Sequence, residues 1–339
     1  MSNKEPQETL EDVIAAIEKR YGEGSIHQGD KEVAVERIPT GSLALDYATT
    51  GGIPIGRFSR FYGGYSSAKS LTCWQVIKQA QKMGMTCAYY NIEKQYDKSF
   101  VSKIGIDTKN LVVVQGTTIE ETGTKVEALL GPVDLHVIDS CSSAVSIDEL
   151  NASIEDWQRG LSARVWGKVL RTINERFDHR RNVVIMVDQI RDSMQYGGGH
   201  VVPGGKSLDH VSSMSLLFKK GGWMFYDKNG YLSTDTTASK TVSGSAEADG
   251  MEILIRVDKS RVGRPLRTAR MYLDLNKMCF DVDAERTQMA KHFNLIEQSG
   301  AWFTLPSGEK VHGLKGVREL VANDPSFKEQ IDKSVARNF

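Results

Sequence analysis

Five apolar runs alternate with longer amphipathic segments between residues 57 and 189, and this alternation constrains the fold more than any other feature. The runs are RFSRFYG (57–63), TCAYYNIE (86–93), NLVVVQG (110–116), VDLHVIDS (133–140) and NVVIMVDQ (182–189). Several are apolar almost throughout, which is typical of strands that are covered on both faces of a sheet. The segments between them have helical character. The pattern therefore predicts an α/β fold with a mostly parallel twisted sheet and helices on both faces.

The segments on either side of this region have a different character. Residues 8–21 place their apolar side chains on one helical stripe. After residue 210 the pattern changes to strands and turns, interrupted by the Ser/Thr/Gly-rich loop 233–250, and helices are predicted near 285–298 and 313–336. We therefore predict three parts: a small N-terminal helix–strand arm (1–34), a core (35–276) and a small α/β C-terminal domain (277–339).

Composition restricts the class of protein and of partner. The 339 residues are 40% hydrophobic and 25% charged, as in soluble globular proteins. Lys+Arg and Asp+Glu both number 43, so a polyanionic partner has to be argued from local patches. The four cysteines lack C-x-x-C spacing, which indicates buried thiols in a reducing compartment. Because no stretch of about 20 apolar residues occurs, we expect a cytoplasmic protein without a membrane span.

The decapeptide FYGGYSSAKS (61–70) is one residue away from the phosphate-binding loop G-x-x-x-x-G-K-[ST], with Ala68 in place of the second glycine. It follows a predicted strand and precedes an amphipathic helix, where backbone N–H groups and the helix dipole hold phosphates. In that interpretation Lys69 reaches the β- and γ-phosphates and the Ser70 hydroxyl ligates Mg²⁺. The alternatives are a flexible strand–helix turn and a retired nucleotide site. If Ala68 has a positive φ, its Cβ costs roughly 1 kcal/mol.

Three further predicted strands end in polar side chains. VDLHVIDS ends near Asp139, which suits a Walker B carboxylate that binds the Mg²⁺ shell. TCAYYNIE ends in Glu93, a candidate for deprotonating the attacking water. VVIMVDQ ends in Gln189, whose amide can sense the γ-phosphate. Because the carboxyl ends of parallel strands meet at one edge of the sheet, these groups are expected to converge with the loop.

The chain resembles bacterial-type RecA recombinases over nearly its whole length. The motifs that carry the resemblance are IPTGSLALDYATTGGIPIGR (38–57), the 63–70 loop, NIEKQYD, GLSAR (160–164), VDQIR (187–191), GGKSL (204–208), DKSRVGRP (258–265) and SGAWFTLPSGEKVHG (299–313). Their order and spacing match the family. The resemblance implies a RecA-type P-loop ATPase core and an ATP-dependent recombinase with ATP and Mg²⁺ as cofactors.

The resemblance also implies roles for residues that spacing alone does not assign. Asp97 and Phe100 correspond to the positions that cradle the adenine, where the family usually has Tyr at the second. Lys259 and Arg261 match a basic pair that reaches the neighbouring subunit's triphosphate, and Gln189 matches the residue that couples the γ-phosphate to the second DNA-binding loop. The other residues implied to contact the nucleotide are Gly63, Gly64, Ser66, Ser67 and Ala68.

DNA binding is implied for two loops, residues 150–160 and 191–205, that line the axis of a helical filament of this chain. Single-stranded and double-stranded DNA are the implied partners. Arg164, Lys168 and Arg171 lie at i, i+4 and i+7 after the first loop and can pair with successive phosphates; a solvated helix face is the alternative. The remaining residues of the implied DNA surface are Trp157, Arg159, Met194, Gly204 and Gly205.

Several departures from the family pattern indicate a divergent branch, consistent with a phage-encoded member. The second loop is about two residues shorter than usual, the 233–250 stretch is extra, and His210 stands where the family typically has Phe. We expect a protein that forms filaments on single-stranded DNA and catalyses homologous pairing and strand exchange. The alternatives are a non-hydrolysing filament that coats or protects DNA and a ring-forming motor such as a helicase.

Overall fold

The computed structural model describes residues 9–22, 25–26, 34–116, 118–153, 160–179, 181–192, 200–201, 205–227, 230–233 and 247–339. Two compact units are present, Met1–Glu36 and Arg37–Phe339. The first contains helix α1 (Leu10–Tyr21), which begins with a capping box between Thr9 and Asp12. None of the helices in the described ranges is both long and apolar enough to cross a lipid bilayer.

The second unit is built on a ten-stranded mixed sheet. Its order is β14-β13-β12-β10-β3-β7-β6-β4-β5, and β11 pairs with β10. The strands are β3 (Phe58–Gly63), β4 (Cys87–Asn91), β5 (Leu111–Gln115), β6 (Leu135–Asp139), β7 (Val183–Gln189), β10 (Met214–Tyr226), β11 (Leu232–Ser233), β12 (Gly250–Ser260), β13 (Thr268–Asp274) and β14 (Cys279–Phe280). Strands β10, β3, β7, β6, β4 and β5 are parallel neighbours, whereas β11 to β14 pair antiparallel. The predicted α/β fold with a largely parallel sheet is confirmed.

Helices cover both faces of this sheet, as the continuous apolar strands require. They are α2 (Leu43–Ala48), α3 (Lys69–Lys82), α4 (Lys98–Ile104), α5 (Ile119–Leu129), α7 (Leu161–Arg176) and α8 (Gly205–Val211). The short helix α6 (Ile147–Asn151) has no buried residue. One apolar core lies between the sheet and α2 to α4, and a second lies between the sheet and α5, α7 and α8. Trp166 of α7 is fully buried in the second core and donates a hydrogen bond of 3.1 Å to the Cys141 carbonyl. Cys73 and Cys87 are also buried.

Shorter elements complete the fold. Two-stranded sheets pair β1 (Arg37–Ile38) with β2 (Ile53–Pro54) and β8 (Arg191–Asp192) with β9 (His200–Val201). The C-terminal part contains α9 (Val282–His292), α10 (Gly313–Asn323), α11 (Pro325–Ala336) and a three-stranded sheet of β15 (Glu297–Ser299), β16 (Trp302–Thr304) and β17 (Lys310–His312), around a core of its own.

This C-terminal part differs in detail from the prediction. The helix expected over 285–298 ends at His292, and the helix expected over 313–336 is two helices that meet at Asp324. The proposed domain boundaries at 34/35 and 276/277 stay predictions. Most of the Ser/Thr/Gly-rich loop 233–250 lies outside the described residues.

Candidate nucleotide-binding and catalytic site

The loop between β3 and α3 has the backbone of an anion-binding turn. Ser66 has φ 53° and Ala68 has φ 63°, both in the left-handed region. Gly63 is required by packing, because a Cβ there would lie 2.2 Å from the Phe218 carbonyl oxygen of neighbouring β10. At Gly64, in contrast, a Cβ would meet nothing within 4 Å. Ala68 stands where the motif has glycine, and because its φ is positive it carries the conformational strain of a Cβ in the left-handed region.

Lys69 is the first residue of α3 and its ammonium group lies inside the loop. The side chain is buried, and Nζ donates to the carbonyl oxygens of Gly63 (3.1 Å) and Gly64 (2.7 Å) and to Ser67 Oγ (3.3 Å). Burial lowers the pKa of Lys69, while the carboxylates of Asp139 and Glu93 oppose that shift. The cation is thus held by the backbone that would surround a phosphate.

Asp139 ends β6 next to this loop. Its carboxylate accepts a hydrogen bond of 2.9 Å from the Tyr89 hydroxyl. Burial raises the pKa of Asp139, and the hydroxyls of Ser70 and Tyr89 oppose the shift. A hydroxyl and a carboxylate oxygen are ligands that Mg²⁺ accepts, and Mg²⁺ commonly has only one or two protein ligands besides phosphates and water. Ser70 and Asp139 therefore fit the predicted metal contact.

Glu93 and Gln189 are brought together, as their positions at strand ends predict. Gln189 Nε2 donates to Glu93 Oε1 at 2.8 Å. The hydroxyls of Ser140 and Ser143 donate to the same oxygen, the latter at 3.0 Å. Within the part of the chain that the structure describes, no hydrogen bond reaches Oε2 of Glu93. One carboxylate oxygen is therefore fixed, and the other can act on a water.

The sequence reasoning missed the serines that surround Glu93 and Gln189. Ser142 Oγ accepts from the Gln189 backbone N–H at 3.2 Å and lies 3.2 Å from Ser140 Oγ. The available signal was the run SCSS directly after Asp139, since hydroxyls that follow a strand end face the same edge of the sheet. Tyr89, in the middle of an apolar run, gave no polar signal.

Asp97 and Phe100, the predicted adenine contacts, lie at the start of α4. Asp97 caps that helix, and its Oδ1 accepts from the backbone N–H groups of Ser99 (2.7 Å) and Phe100 (3.2 Å). The Ser99 hydroxyl, together with these two backbone bonds, lowers the pKa of Asp97. The Phe100 ring is partly buried against the core below the loop. The capping role accounts for Asp97 in the free chain, so its contact with adenine stays a prediction.

Lys259 and Arg261 lie away from the loop of their own chain. Lys259 on β12 pairs with Ser215 of β10, and Ser215 pairs with Arg60 of β3, three residues before Gly63. At about 3.3 Å per residue, the pair is displaced from its own loop by roughly 10–16 Å along the strands, and it lies two strands away. Lys259 Nζ donates to the Asp209 carbonyl, and Arg261 donates to the His210 carbonyl at 3.2 Å.

Only some of the predicted DNA-contacting residues lie within the described part of the chain. Arg164, Lys168 and Arg171 lie on one face of α7 and are exposed. Arg164 and Lys168 also border a groove of about 510 Å³ between α5 and α7 that contains Glu120, Glu127 and Asp148. Gly205 is the first residue of α8. Four predicted contacts lie outside the described residues: Trp157, Arg159, Met194 and Gly204.

Comparison with known proteins agrees with this geometry. The family model for the RecA N-terminal domain matches residues 8–278. Protein RecA of Chloroflexus aurantiacus is 29% identical over 339 residues, covering 98% of this chain and 91% of the relative. Protein RecA of Francisella tularensis subsp. novicida is 29% identical over 337 residues, covering 97% and 89%. The family model matches most of this chain, and the loop, strand ends and sheet order agree with it. The chain therefore belongs to the RecA family.

Proposed function

We propose that this protein is an ATP-dependent recombinase that forms filaments on single-stranded DNA and catalyses homologous pairing and strand exchange. Membership of the RecA family supports a recombinase-like function. The observation that carries the proposal of ATP hydrolysis is the 2.8 Å hydrogen bond between Glu93 and Gln189. It joins Glu93, the proposed base, to Gln189, the proposed sensor, and this contact supports the proposal.

In this proposal the loop holds the triphosphate of ATP. Backbone N–H groups at the start of α3 face the phosphates, and Lys69 exchanges its loop carbonyls for phosphate oxygens. Ser70 and Asp139 would hold Mg²⁺, which supplies charge neutralisation at the β- and γ-phosphates when bound. Phe100 offers a flat apolar surface on which adenine can stack.

Glu93 acts as the general base in the proposed reaction. A water attacks the γ-phosphorus, its proton passes to Glu93 Oε2, and the bond to the bridging oxygen breaks to release ADP and phosphate. Gln189 and the hydroxyls of Ser140 and Ser143 hold Oε1, so the carboxylate keeps one orientation. In this proposal ATP binding draws the Gln189 amide from Glu93 to the γ-phosphate, so Gln189 acts as a switch between base and nucleotide.

Filament assembly completes the proposed site. Lys259 and Arg261 lie too far along the sheet to reach their own loop, so they are proposed to contact the triphosphate of a neighbouring copy. The exposed cations of α7 are proposed to pair with DNA phosphates, and pairing between strands, not the protein, tests homology. The cytoplasmic location of the protein stays a prediction.

The decisive experiment is ATP hydrolysis measured with and without single-stranded DNA. We expect turnover that DNA stimulates, and we expect Lys69→Ala to abolish it as the matched control. ATP and DNA binding without turnover would support the non-hydrolysing DNA-coating alternative instead. Electron microscopy of the same samples separates helical filaments from closed rings.

A further inference from the structure

Arg60, in the middle of β3, is a buried cation that the proposed reaction does not use. Its side chain is 4% exposed, and Nη2 donates to Asp188 Oδ2 at 2.6 Å. Among the described residues, Arg60 Nε is buried and has no hydrogen-bond partner. Removing a guanidinium group from water is costly unless all its donors are satisfied, so this arrangement adds little to stability. A buried charge that is only partly paired needs another explanation.

On one side, Arg60 is connected to the catalytic site. Asp188 immediately precedes Gln189 on β7, and its Oδ1 accepts from the Gln189 backbone N–H at 3.0 Å while Oδ2 accepts from Arg60. Gln189 in turn donates to Glu93. Since Asp188 is fully buried and bonded through both oxygens, it links the guanidinium group of Arg60 directly to the Gln189 backbone N–H.

On the other side, Arg60 faces α8. Arg60 Nη1 lies 4.0 Å from Asp209 Oδ1, which is an ion-pair distance but too long for a hydrogen bond. Asp209 is half-exposed, and its backbone carbonyl accepts from Lys259, while the next carbonyl, of His210, accepts from Arg261. Helix α8 therefore carries the Asp209 carboxylate, which lies just beyond hydrogen-bond distance of Arg60. It also carries the two backbone carbonyls that accept from Lys259 and Arg261.

We propose that Arg60 is a positioning residue that couples Gln189 to Lys259 and Arg261 through Asp188 on one side and Asp209 on the other. This inference rests on the proposed function. Among the residues that the structure describes, the guanidinium group hydrogen-bonds only to Asp188, and it lies 5.0 Å from the centre of the Tyr62 ring. A shift of α8 by about 1 Å toward β3 gives it a second carboxylate at hydrogen-bond distance. The same shift moves the carbonyls that hold Lys259 and Arg261, so the nucleotide site and the subunit-facing pair change together.

The test uses variants that separate coupling from packing. Arg60→Met/Asp188→Leu replaces a buried ion pair by apolar side chains of similar volume, a change that buried pairs often tolerate. The Gln189 N–H keeps its hydrogen bond to Ser142 in this variant. Asp209→Asn weakens the ion contact between Arg60 and α8, while the amide oxygen can still accept from the Ser215 hydroxyl. Arg181→Met is the matched control, because Arg181 pairs with Asp134 at the opposite end of β7.

Each variant is measured for melting temperature, ATP affinity, ATP turnover without DNA and turnover with saturating single-stranded DNA. For the double variant we expect the stimulation by DNA to fall about tenfold or more, the scale of an allosteric coupling. ATP affinity and turnover without DNA should stay within about threefold, below that scale. Asp209→Asn should show a smaller fall in stimulation, and Arg181→Met none.

A charge exchange gives a readout that a structural role would not move. Arg60→Glu/Asp188→Asn should lose stimulation, and adding Asp209→Lys should restore it, because the ion contact with α8 then re-forms with opposite polarity. This rescue decides the question if the apolar double variant does not fold.

The inference is overturned if DNA stimulates the double variant and Asp209→Asn as strongly as the unmodified protein. It is also overturned if all activities fall together with the melting temperature, or if the exchange restores nothing. If DNA does not stimulate the unmodified protein, the proposed function itself fails, and the inference falls with it.

Discussion

Ala68 shows how a single residue can depart from a motif while the local backbone keeps its form. With φ 63° and ψ 22°, it has the left-handed conformation that glycine adopts at little cost. Its carbonyl still accepts from the Thr72 hydroxyl and backbone N–H in the first turn of α3. The departure therefore adds strain of roughly 1 kcal/mol and leaves the donors of the loop in place.

Ala68→Gly should accordingly change nucleotide affinity by no more than about tenfold, which corresponds to about 1.4 kcal/mol. Lys69→Ala should weaken binding far more, because it removes the cation that faces the phosphates. Titration calorimetry with ATP measures both. An unmodified protein that binds no ATP, together with an Ala68→Gly variant that does, would show that the site is retired.

Glu93→Gln should leave ATP and DNA binding within about threefold and slow DNA-stimulated hydrolysis by at least about 100-fold, the usual contribution of a general base. The amide oxygen can still accept from Gln189 and the serines, so the local structure is kept, but an amide cannot take the proton of the attacking water. Steady-state turnover provides the measurement.

Ser143→Ala is the matched control for that substitution, since it removes one of the donors to Glu93 Oε1 and leaves the base itself. We expect only a small loss of turnover from it. Unchanged hydrolysis in Glu93→Gln would exclude Glu93 as the base, and another carboxylate would have to be sought.

At the scale of elements, periodicity located the strands and helices well where tertiary contacts agree with local pattern. The five apolar runs became β3, β4, β5, β6 and β7 with boundaries shifted by one or two residues. The helix expected over 285–298 ends early, at His292. Asn294 adopts φ 52°, which is not helical, although the residues FNLI (293–296) continue the apolar pattern. The break at 324 follows from Asp324, which caps α11, and from Pro325 at its first turn.

Helix α7 offers a direct test of the DNA interface. Arg171→Ala should weaken single-stranded DNA binding to a similar extent for all sequences and reduce the salt dependence by roughly one unit of slope, because one phosphate contact is lost. Arg176→Ala on the same helix is the control, since Arg176 pairs with Glu127. Binding isotherms at several salt concentrations distinguish the two. A loss confined to one DNA sequence would contradict the phosphate assignment.

The junction of α9 with α2 contains one buried carboxyl group, Glu285, and one partly buried carboxyl group, Asp46. Glu285 accepts from the Ser42 hydroxyl (2.9 and 3.0 Å) and from the Ala44 N–H (3.1 Å). Burial raises the pKa of Glu285 to about 8 and that of Asp46 to about 7. Since an acid with a raised pKa binds its proton more tightly in the folded chain, its stabilisation is complete below the unfolded pKa and is lost as the pH rises.

The free energy of unfolding should therefore fall between about pH 5 and pH 8, by at most about 1.4 kcal/mol per pH unit for each group. Glu285→Gln removes one of the two titrations, so its slope should be smaller, with the part due to Asp46 remaining. Urea unfolding at pH 5.5, 6.5 and 7.5 measures both slopes. Identical slopes would mean that Glu285 is ionised in the folded protein.

At the scale of the whole molecule, the topology explains which parts of the site could be predicted from sequence. Parallel strands bring their carboxyl ends to one edge, so Glu93, Asp139 and Gln189 can be grouped from the sequence alone. The serines after Asp139 could have been added to this group from the run SCSS, whereas the Arg60–Asp188 pair could not, because its two members lie on different strands and meet only in one register. The position of Lys259 relative to Gly63 likewise depends on how β12, β10 and β3 align.

That alignment leads to a prediction about the assembled protein. Lys259→Ala and Arg261→Ala should each impair DNA-stimulated hydrolysis while the monomer stays folded, since the proposed target of the pair lies on the next subunit.

A Lys69→Ala subunit cannot use its own loop but still presents its Lys259 to a neighbour, whereas a Lys259→Ala subunit keeps a working loop. Mixing the two inactive variants should therefore restore part of the activity, at most about one quarter in an equimolar random filament, because only one interface in four combines a working loop with a working lysine. Each variant alone at the same total concentration is the control. Absence of recovery at every mixing ratio, with both variants shown to enter the same filaments, would mean that Lys259 acts within its own chain.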